Sequence, residues 1–446
     1  MDPAAAENWI AELDLMGMRF GLERMHALMH ALGHPCRGIP AVHVVGTNGK
    51  TSVTRMTAAL LTECGLRTGA YVSPHVMGWR ERIAMDGEII PPGAFAAAAT
   101  RVQDAIPSVP EGAITQFEAL TATALTAFAM GGAEAIVIEA GLGGRLDATN
   151  VIDAPVVALS AVDLDHTELL GDDVQSIAGE KLGVAPPGFT GLVVGEQAPG
   201  SIDGVRAAVN ARSMAGWWVG QEIVVEPGIG HSMSISTPNG ALRVDADMPA
   251  RWQRANLALA TGAAERVLGR GLDAATVARA VDRLDNPGRL QVVPGSPVVV
   301  LDGAHNPAGA RALAQALPMI LGDVRPVAVI GMMADKDAAG ILDALAPVIS
   351  RAHVTRASSG RAVRAEPIAR MLRERGVEAD AVAGPATALE RAREDAGPGG
   401  AVLVAGSLHL LSDLVPVALG WSDTLAAASA PDDAMATVWR LDDFRK

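Results

Sequence analysis

Cysteine is almost missing from this sequence, with only Cys36 and Cys64 among 446 residues. Neither belongs to a CxxC pair or a Cys/His cluster, which excludes a disulfide framework and a zinc knuckle and makes a reducing compartment the natural setting. Basic charge is also in short supply: 36 Lys and Arg stand against 50 Asp and Glu, for a formal net charge of −14. Surfaces that track nucleic acid or anionic lipid need clustered Lys and Arg, so both partners are excluded, which leaves room for a local basic pocket. No run approaches the ~20 uninterrupted apolar residues of a membrane span. The opening residues, MDPAAAENWIAELD, are acidic where a signal peptide needs a basic segment. A soluble, cytoplasmic protein is therefore expected. What is abundant is apolar residues, at 49%, enough to offset chain entropy by burial and to exclude disorder. At roughly 100 to 200 residues per domain, the length predicts two domains or at most three.

Short apolar runs alternate with longer amphipathic ones, the pattern of β-α units around a parallel sheet. Ala41 to Val45, Ala70 to Val72, Ala135 to Glu139 and Val156 to Val162 read as buried parallel strands. Between Trp217 and Met248 the texture alternates, with Pro238-Asn239-Gly240 as a hairpin-like turn, so a small antiparallel sheet is expected there. Helical spacing returns from about Arg251 to Leu268 and from Ala274 to Leu284, until Asn286-Pro287-Gly288 and Pro294-Gly295-Ser296-Pro297 interrupt it. A domain boundary near residue 290 follows. Beyond it a second β-α series has strands at Val298 to Leu301, Pro326 to Ile330, Ala352 to Thr355 and Ala401 to Val404, an ordinary doubly wound domain. The stretch after Leu419 lacks a core face and reads as a loosely held tail.

The sharpest local signal is His43-Val44-Val45-Gly46-Thr47-Asn48-Gly49-Lys50-Thr51-Ser52, a strand ending in a glycine loop that runs into the amphipathic stretch Val53 to Cys64. Backbone N–H groups at such a turn cradle anions, and the lysine reaches the outer phosphates of a nucleotide. Thr51 or Ser52 can hold Mg²⁺. The strict phosphate-loop pattern wants glycine at position 44, where this chain has Val44, yet strand, loop, lysine and helix are all present. Three further segments lie just past the carboxyl ends of expected strands, where a metal and phosphate site is built. Ile136-Val137-Ile138-Glu139 ends in a carboxylate, Val162-Asp163-Leu164-Asp165-His166 in an imidazole, and Tyr71-Val72-Ser73-Pro74-His75 presents a hydroxyl beside a proline-fixed turn. Each is a candidate Mg²⁺ neighbour by its shared topological position, where singly it would read as a solvated Glu or a capping Ser, and His is the less usual one for so hard a cation.

These segments form part of a larger ordered set. The loop Gly46 to Lys50, Ser73-Pro74-His75 followed by Glu81-Arg82-Ile83, Glu139 to Asn150, Asp165-His166, Glu180-Lys181, Pro287-Gly288-Arg289-Leu290 and Asp302-Gly303-Ala304-His305-Asn306-Pro307 resemble the folylpolyglutamate synthase and dihydrofolate synthase family, the folate branch of the Mur ligase superfamily. The motifs run from Phe20-Gly21-Leu22-Glu23-Arg24 to Gly406-Ser407-Leu408, nearly the whole chain. The resemblance implies an α/β protein of two domains. Residues 1–290 would be a P-loop-type doubly wound ATP-binding domain carrying the small antiparallel sheet, and residues 291–446 a Rossmann-like glutamate-ligase domain.

It also implies an ATP-dependent amide ligase that activates a folate or dihydropteroate carboxylate as an acyl phosphate, which the amino group of L-glutamate attacks. ATP and Mg²⁺ are the cofactors so implied, and a monomer is expected. Gly46, Thr47, Asn48, Gly49, Lys50, Thr51 and Ser52 would bind the nucleotide, with Lys50 neutralising the β and γ phosphates. Ser73, Glu139 and His166 would hold Mg²⁺, with Thr51 adding an oxygen. Lys181 matches a lysine that the family carbamylates, which turns a cation into an anion for a second metal. Asn256 matches the adenine contact, Arg289 an interdomain arginine that reaches the phosphates, and Asp302 and His305 would close on ATP and glutamate. Tyr71, Phe117 and Met77-Gly78-Trp79-Arg80 could bind a pterin and its carboxylate or belong to the core.

Some positions depart from the family. Trp252 stands where a histidine is usual, and Val184-Ala185-Pro186 where another lysine is often found. Thr51 replaces the glycine of many folate enzymes and matches the cell-wall Mur ligases, which keeps that relative as the alternative. Against it, only about 45 residues precede Gly46, where those ligases usually carry a UDP-binding domain. A nucleotide-dependent regulatory ATPase is a third reading, opposed by Asp302, His305 and Lys181, since a switch has no need of acceptor-site residues.

Overall fold

The protein is described from a computed structural model that covers residues 1–13, 21–109 and 114–418. Phe20, which opens the motif series, and the tail expected after Leu419 lie outside the described residues. The described residues divide into two units: those of Met1–Pro74, Trp79–Ala246 and Trp252–Leu284 make the first, and 75–78, 247–251 and 285–418 make the second.

The first unit is built on eight strands: β1 (Ala41–Val45), β2 (Thr68–Tyr71), β3 (Ile83–Met85), β4 (Glu88–Ile89), β5 (Ala135–Glu139), β6 (Val156–Leu159), β7 (Leu192–Val194) and β8 (Gly216–Trp218). Their order is β4-β3-β2-β5-β1-β6-β7-β8. From β2 through the centre to β8 the strands run parallel, and only β3 runs against them, with β4 pairing antiparallel to it at one edge. The central strands are buried along their whole length, which is why they read as continuous rather than alternating apolar runs. Two residues break that rule, His43 within β1 and Glu139 at the end of β5, both buried. The chain leaves β1 toward β2 and β5 on one side and continues in β6 on the other. That reversal opens a crevice beyond the carboxyl end of β1, where open α/β sheets bind ligands.

The helix Gln116–Met130 packs over this core from a capping box, in which Thr115 and Glu118 satisfy each other's backbone N–H groups at 3.2 and 2.8 Å. The other oxygen of Glu118 accepts from Arg24 Nη2 at 2.9 Å, so a buried carboxylate is paired as well as capped.

A second, three-stranded antiparallel sheet follows, from β9 (Val224–Pro227), β10 (Ser232–Thr237) and β11 (Gly240–Asp245). Thr237 pairs with Gly240 across the Pro238-Asn239 turn. Buried Glu265, in the helix Arg251–Leu268, accepts from Thr237 Oγ1 at 2.7 Å and Asn239 Nδ2 at 3.1 Å, which pins the turn. Trp217 and Trp218 do not join this sheet. They extend the large one, because Gly216 pairs so closely with β7 that a Cβ there would lie 2.0 Å from the Leu192 carbonyl.

The second unit holds β12 (Gln291–Val293), β13 (Val298–Leu301), β14 (Val327–Ile330), β15 (Arg351–Val354), β16 (Glu378–Ala381) and β17 (Ala401–Ala405), ordered β12-β13-β17-β14-β15-β16. Only β12 is antiparallel. β12 and β16 add to the four strands the sequence announces. Val76, from the 75–78 segment, packs in the core of this unit.

Candidate active site

The loop between β1 and the helix Lys50–Glu63 is shaped by two glycines. Gly46 has φ +150°, and a Cβ there would lie 1.9 Å from Ser160 Oγ. Gly49, the residue before the helix, is left-handed at φ +86°, and a Cβ there would meet Asn256 Oδ1 at 3.0 Å. The backbone N–H groups of Thr47 and Asn48 both donate to the Ala161 carbonyl, at 2.9 and 3.1 Å. Thr47 Oγ1 bonds Asp163, donating to its carbonyl at 3.1 Å, so the loop is tied to the chain that follows β6. Lys50 folds back over the turn, its Nζ donating to the carbonyls of Gly46 at 3.2 Å and Thr47 at 3.3 Å. Ser52 is buried in the first turn of the helix. Alanine at position 46 would need both a strained backbone and a shifted Ser160. Gly46→Ala is expected to destabilise the fold by about 2 kcal/mol, checked by the shift in denaturant midpoint at constant m-value.

Glu139 gathers the next residues. Thr51 Oγ1 donates to one of its oxygens at 3.0 Å and the backbone N–H of Ser73 to the other at 3.1 Å. A carboxylate, a threonine hydroxyl and the serine after β2 thus meet at the carboxyl ends of β5 and β2, beside the start of the phosphate-loop helix. His166 lies on the Asp165 side of the crevice in a left-handed conformation, φ 51°, with its N–H donating to Asp165 Oδ1 at 3.0 Å and its ring Nε2 3.8 Å from that oxygen.

Lys181 ends the helix Val174–Lys181 and is buried. Burial first, then the nearby Lys50 ammonium, pull its pKa down to about 7, against the carboxylates of Asp165, Asp147 and Glu180. The two ammonium groups are thus near enough to repel each other. Arg145 anchors the preceding turn, its backbone N–H donating to the Glu180 carbonyl at 3.0 Å and its side chain pairing with Glu180 at 2.9 Å. Asn256 projects from the helix Arg251–Leu268 onto Gly49.

Arg289, Asp302 and His305 come together within the second unit. The Asp302 carboxylate, buried at the end of β13, accepts from the N–H groups of Leu290 and Ala304, both at 2.8 Å. Burial raises its pKa and the Arg289 guanidinium opposes the rise. A Cβ at Gly303 would lie 2.4 Å from Arg289 Nη1, so that glycine is what lets the arginine pass. His305 Nδ1 is 2.8 Å from the Gly303 carbonyl, and because a carbonyl only accepts, Nδ1 carries the proton.

The Mur ligase glutamate ligase domain family matches residues 288–408. The dihydrofolate synthase/folylpolyglutamate synthase of Mycobacterium tuberculosis is 37% identical over 391 residues, covering 79% of this chain and 78% of that protein. The chain belongs to this family. Two solved structures agree with that membership. Mycobacterium tuberculosis folylpolyglutamate synthase complexed with ADP superposes with a TM-score of 0.85 at 33% identity, over 94% of this chain and 99% of the other. The Yersinia pestis folylpolyglutamate synthase/dihydrofolate synthase complexed with AMPPNP and Mn ion gives 0.81 at 28% identity, over 94% and 98%.

The aromatic candidates pack in or against the core of the first unit. Tyr71 is fully buried, accepting from Thr121 Oγ1 at 3.2 Å, with the Phe117 ring 6.2 Å away, and burial pushes its phenol up to about 12. Trp79 is half-buried with the Arg82 guanidinium 5.2 Å above its ring, in the first unit, whereas Met77 packs in the second. Sequence reasoning gave no role to Ser160, which fills the space Gly46 leaves, or to Gln197, which accepts from the Val162 N–H at 2.9 Å and donates to the Ser160 carbonyl at 3.2 Å. Lone polar residues beside strands carry no periodic signal, so only their positions in space reveal them.

Proposed function

We propose that the chain joins L-glutamate to the carboxylate of a folate or dihydropteroate at the expense of ATP, as its family's name implies, through the residues gathered around Glu139 and Lys181. The single observation that carries this reading is that cluster: a buried carboxylate braced by Thr51 and Ser73, with two lysines, Lys50 and Lys181, sharing one electrostatic field beside a phosphate-type loop.

The loop Gly46 to Ser52 receives the ATP phosphates, and Lys50 moves from the loop carbonyls it now contacts to neutralise the transferring group. Phosphoryl transfer asks the protein for positioning and charge neutralisation more than for covalent chemistry. A substrate carboxylate oxygen attacks the γ-phosphorus, ADP leaves, and the amine of L-glutamate then attacks the acyl carbon and expels phosphate. Asn256, lying against Gly49, offers a donor and an acceptor to the adenine edge. Residues 1–290 form the ATP-binding part and residues 291–446 the glutamate-ligase part, and Arg289, just before that boundary, lies beside the loop that carries Asp302 and His305. Asp302 holds that loop while Arg289 and His305 meet phosphate and substrate. The protein works as a cytoplasmic monomer. No helix among the described residues is long and apolar enough to cross a membrane.

The donor set at Glu139 fits Mg²⁺. Such an ion is bound by one or two carboxylates with hydroxyl, water and phosphate oxygens rather than by a dense protein cage, and among the described residues no group of three His, Cys, Asp or Glu forms one. Thr51, Ser73, Glu139, His166 and Lys181 as its carbamate would hold the ions, which supply charge neutralisation to the phosphates when bound. Replacing the carboxylate by its neutral amide keeps the shape and removes the charge. Glu139→Gln is expected to raise the Mg²⁺ needed for half-maximal rate about 10- to 100-fold. An unmoved Mg²⁺ titration would remove Glu139 from the metal site.

The reading is tested by ADP release with L-glutamate and a panel of acceptors. Turnover with dihydropteroate or tetrahydrofolate, and none with a UDP-linked cell-wall precursor, supports it. Turnover with the precursor instead would favour the cell-wall ligase that Thr51 resembles, and acceptor-independent hydrolysis would favour the regulatory ATPase.

A further inference from the structure

One histidine lies where the sheet has no obvious use for it. His43 is central in β1, opposite Ile138 of β5 and Val157 of β6, and is completely buried. Its Nε2 is 2.9 Å from Thr149 Oγ1. The Thr149 hydroxyl is in turn 2.5 Å from Asp147 Oδ1, and the same oxygen accepts the Thr149 N–H at 3.0 Å. The other oxygen, Asp147 Oδ2, accepts from the N–H of Leu142 at 2.8 Å. One strand residue thus holds both ends of the loop 141–150.

That loop touches the chemistry on two sides. It begins directly after Glu139, and a Cβ at Gly144 would lie 2.4 Å from the Lys181 carbonyl. Arg145 bonds the Glu180 carbonyl at 3.0 Å. Where the loop goes, the backbone of Lys181 must follow. β1 itself runs on into the phosphate loop at Gly46.

We propose that His43 is a positioning residue of the ligase site, which through Thr149 and Asp147 fixes the loop 141–150 against Lys181 in register with the phosphate loop. Proton directions follow from the donor inventory. Asp147 takes backbone N–H groups on both oxygens, so it acts as acceptor and the single Thr149 proton goes to it. Thr149 must then accept from His43, whose proton is on Nε2. His43 Nδ1, buried and without a partner, is the lone-pair nitrogen, which tolerates the lack of a partner better than an N–H would. Burial also drives the imidazole pKa down to about 3, so the ring stays neutral, and although burial raises the Asp147 pKa, the hydrogen bonds it accepts from Thr149, Leu142 and Gly141 oppose the rise and favour its carboxylate form.

The inference rests on Lys181 and Glu139 acting as proposed above, and the test separates the two. In protein labelled with ¹⁵N-histidine, the signal that disappears in His43→Gln should show a neutral Nε2–H ring, unchanged between about pH 6 and 8. An Nδ1–H ring would overturn the proposal. Kinetically, His43→Leu should lower kcat about tenfold or more, since small misplacements of a catalytic group are costly, while ADP binding measured alone stays within about twofold of the parent. Gln places an amide donor near Nε2, so His43→Gln should recover most of the rate. Thr149→Val breaks the same chain of bonds at the loop, keeps the residue's shape and should reproduce the loss. If His43→Leu fails to fold, Thr149→Val alone decides. Unchanged kcat in Thr149→Val, or a loss that follows ADP affinity, overturns the proposal. Lys181→Ala serves as control: full activity there removes the site reading itself, whereas an inactive Lys181→Ala beside a fully active Thr149→Val removes only the role of His43.

Discussion

Lys181→Ala is expected to lose about three orders of magnitude in turnover, equivalent to about 4 kcal/mol of transition-state stabilisation, and to regain part of it in high concentrations of a short carboxylic acid. The physical basis is the low ammonium pKa, about 7 through burial and then Lys50. Carbamate forms when the neutral amine attacks CO₂ and releases a proton, so a lysine of ordinary pKa would be a poor acceptor at neutral pH. At pH 6 roughly nine-tenths of a group with pKa near 7 is protonated, and at pH 8 roughly nine-tenths is neutral. Activity at fixed CO₂ should therefore rise across that window and fall when CO₂ is stripped. A carbamate there would replace a cation near Lys50 by an anion, which would relieve the repulsion between the lysines and offer oxygens to a metal. Rescue by amines rather than acids would show that Lys181 acts as a cation. The unmodified lysine also links stability to pH. Its proton is held less tightly in the folded chain than in the unfolded one, so stability rises as pH climbs from about 7 toward 10.5 and the penalty is fully present below about 7.

Lys50→Ala should lower kcat about 10²- to 10³-fold, the usual loss when a donor aimed at developing charge is removed. It should leave the thermal midpoint nearly unchanged, because the bonds from its side chain to the Gly46 and Thr47 carbonyls, at 3.2 and 3.3 Å, stay within the loop itself. A second consequence is specific to this site. Lys50 is one of the groups that lower the Lys181 pKa, so in Lys50→Ala the Lys181 ammonium should titrate higher and carbamate occupancy at neutral pH should fall. Activity within a few-fold of the parent would remove the phosphate-loop role, and an unmoved Lys181 titration would show that the two lysines do not share one field.

Much of this architecture was readable in the chain because burial on both faces imposes a signature. β1, β5 and β13 match apolar runs at Ala41, Ala135 and Val298, each short enough to be a strand and closed by polar or glycine residues. β16 was hidden because Glu378-Ala379-Asp380-Ala381 is an edge strand, where charge is tolerated. Trp217 and Trp218 join β7, across one intervening helix, rather than the hairpin strands that follow them, and local alternation carries no information on which sheet receives a strand. Glu139 and the glycine loop stood out as polar groups ending apolar strands. That Thr51 donates to Glu139 across 88 residues could not be read locally, and neither could the burial of Lys181, whose helix carries polar neighbours on both sides. His43 was in plain view as the one polar residue of β1, but its partners lie more than 100 residues onward.

The central claim, that a carboxylate is phosphorylated before the amide forms, is tested most directly with an acceptor whose reacting carboxylate carries ¹⁸O. In the proposed reaction one carboxylate oxygen becomes the bridge to the γ-phosphorus and departs with it when the glutamate amine displaces phosphate. Each phosphate released in the presence of ATP, L-glutamate and a labelled folate or dihydropteroate should then contain one ¹⁸O, with the other retained in the new amide. Phosphate free of label, alongside normal amide formation, would contradict the account.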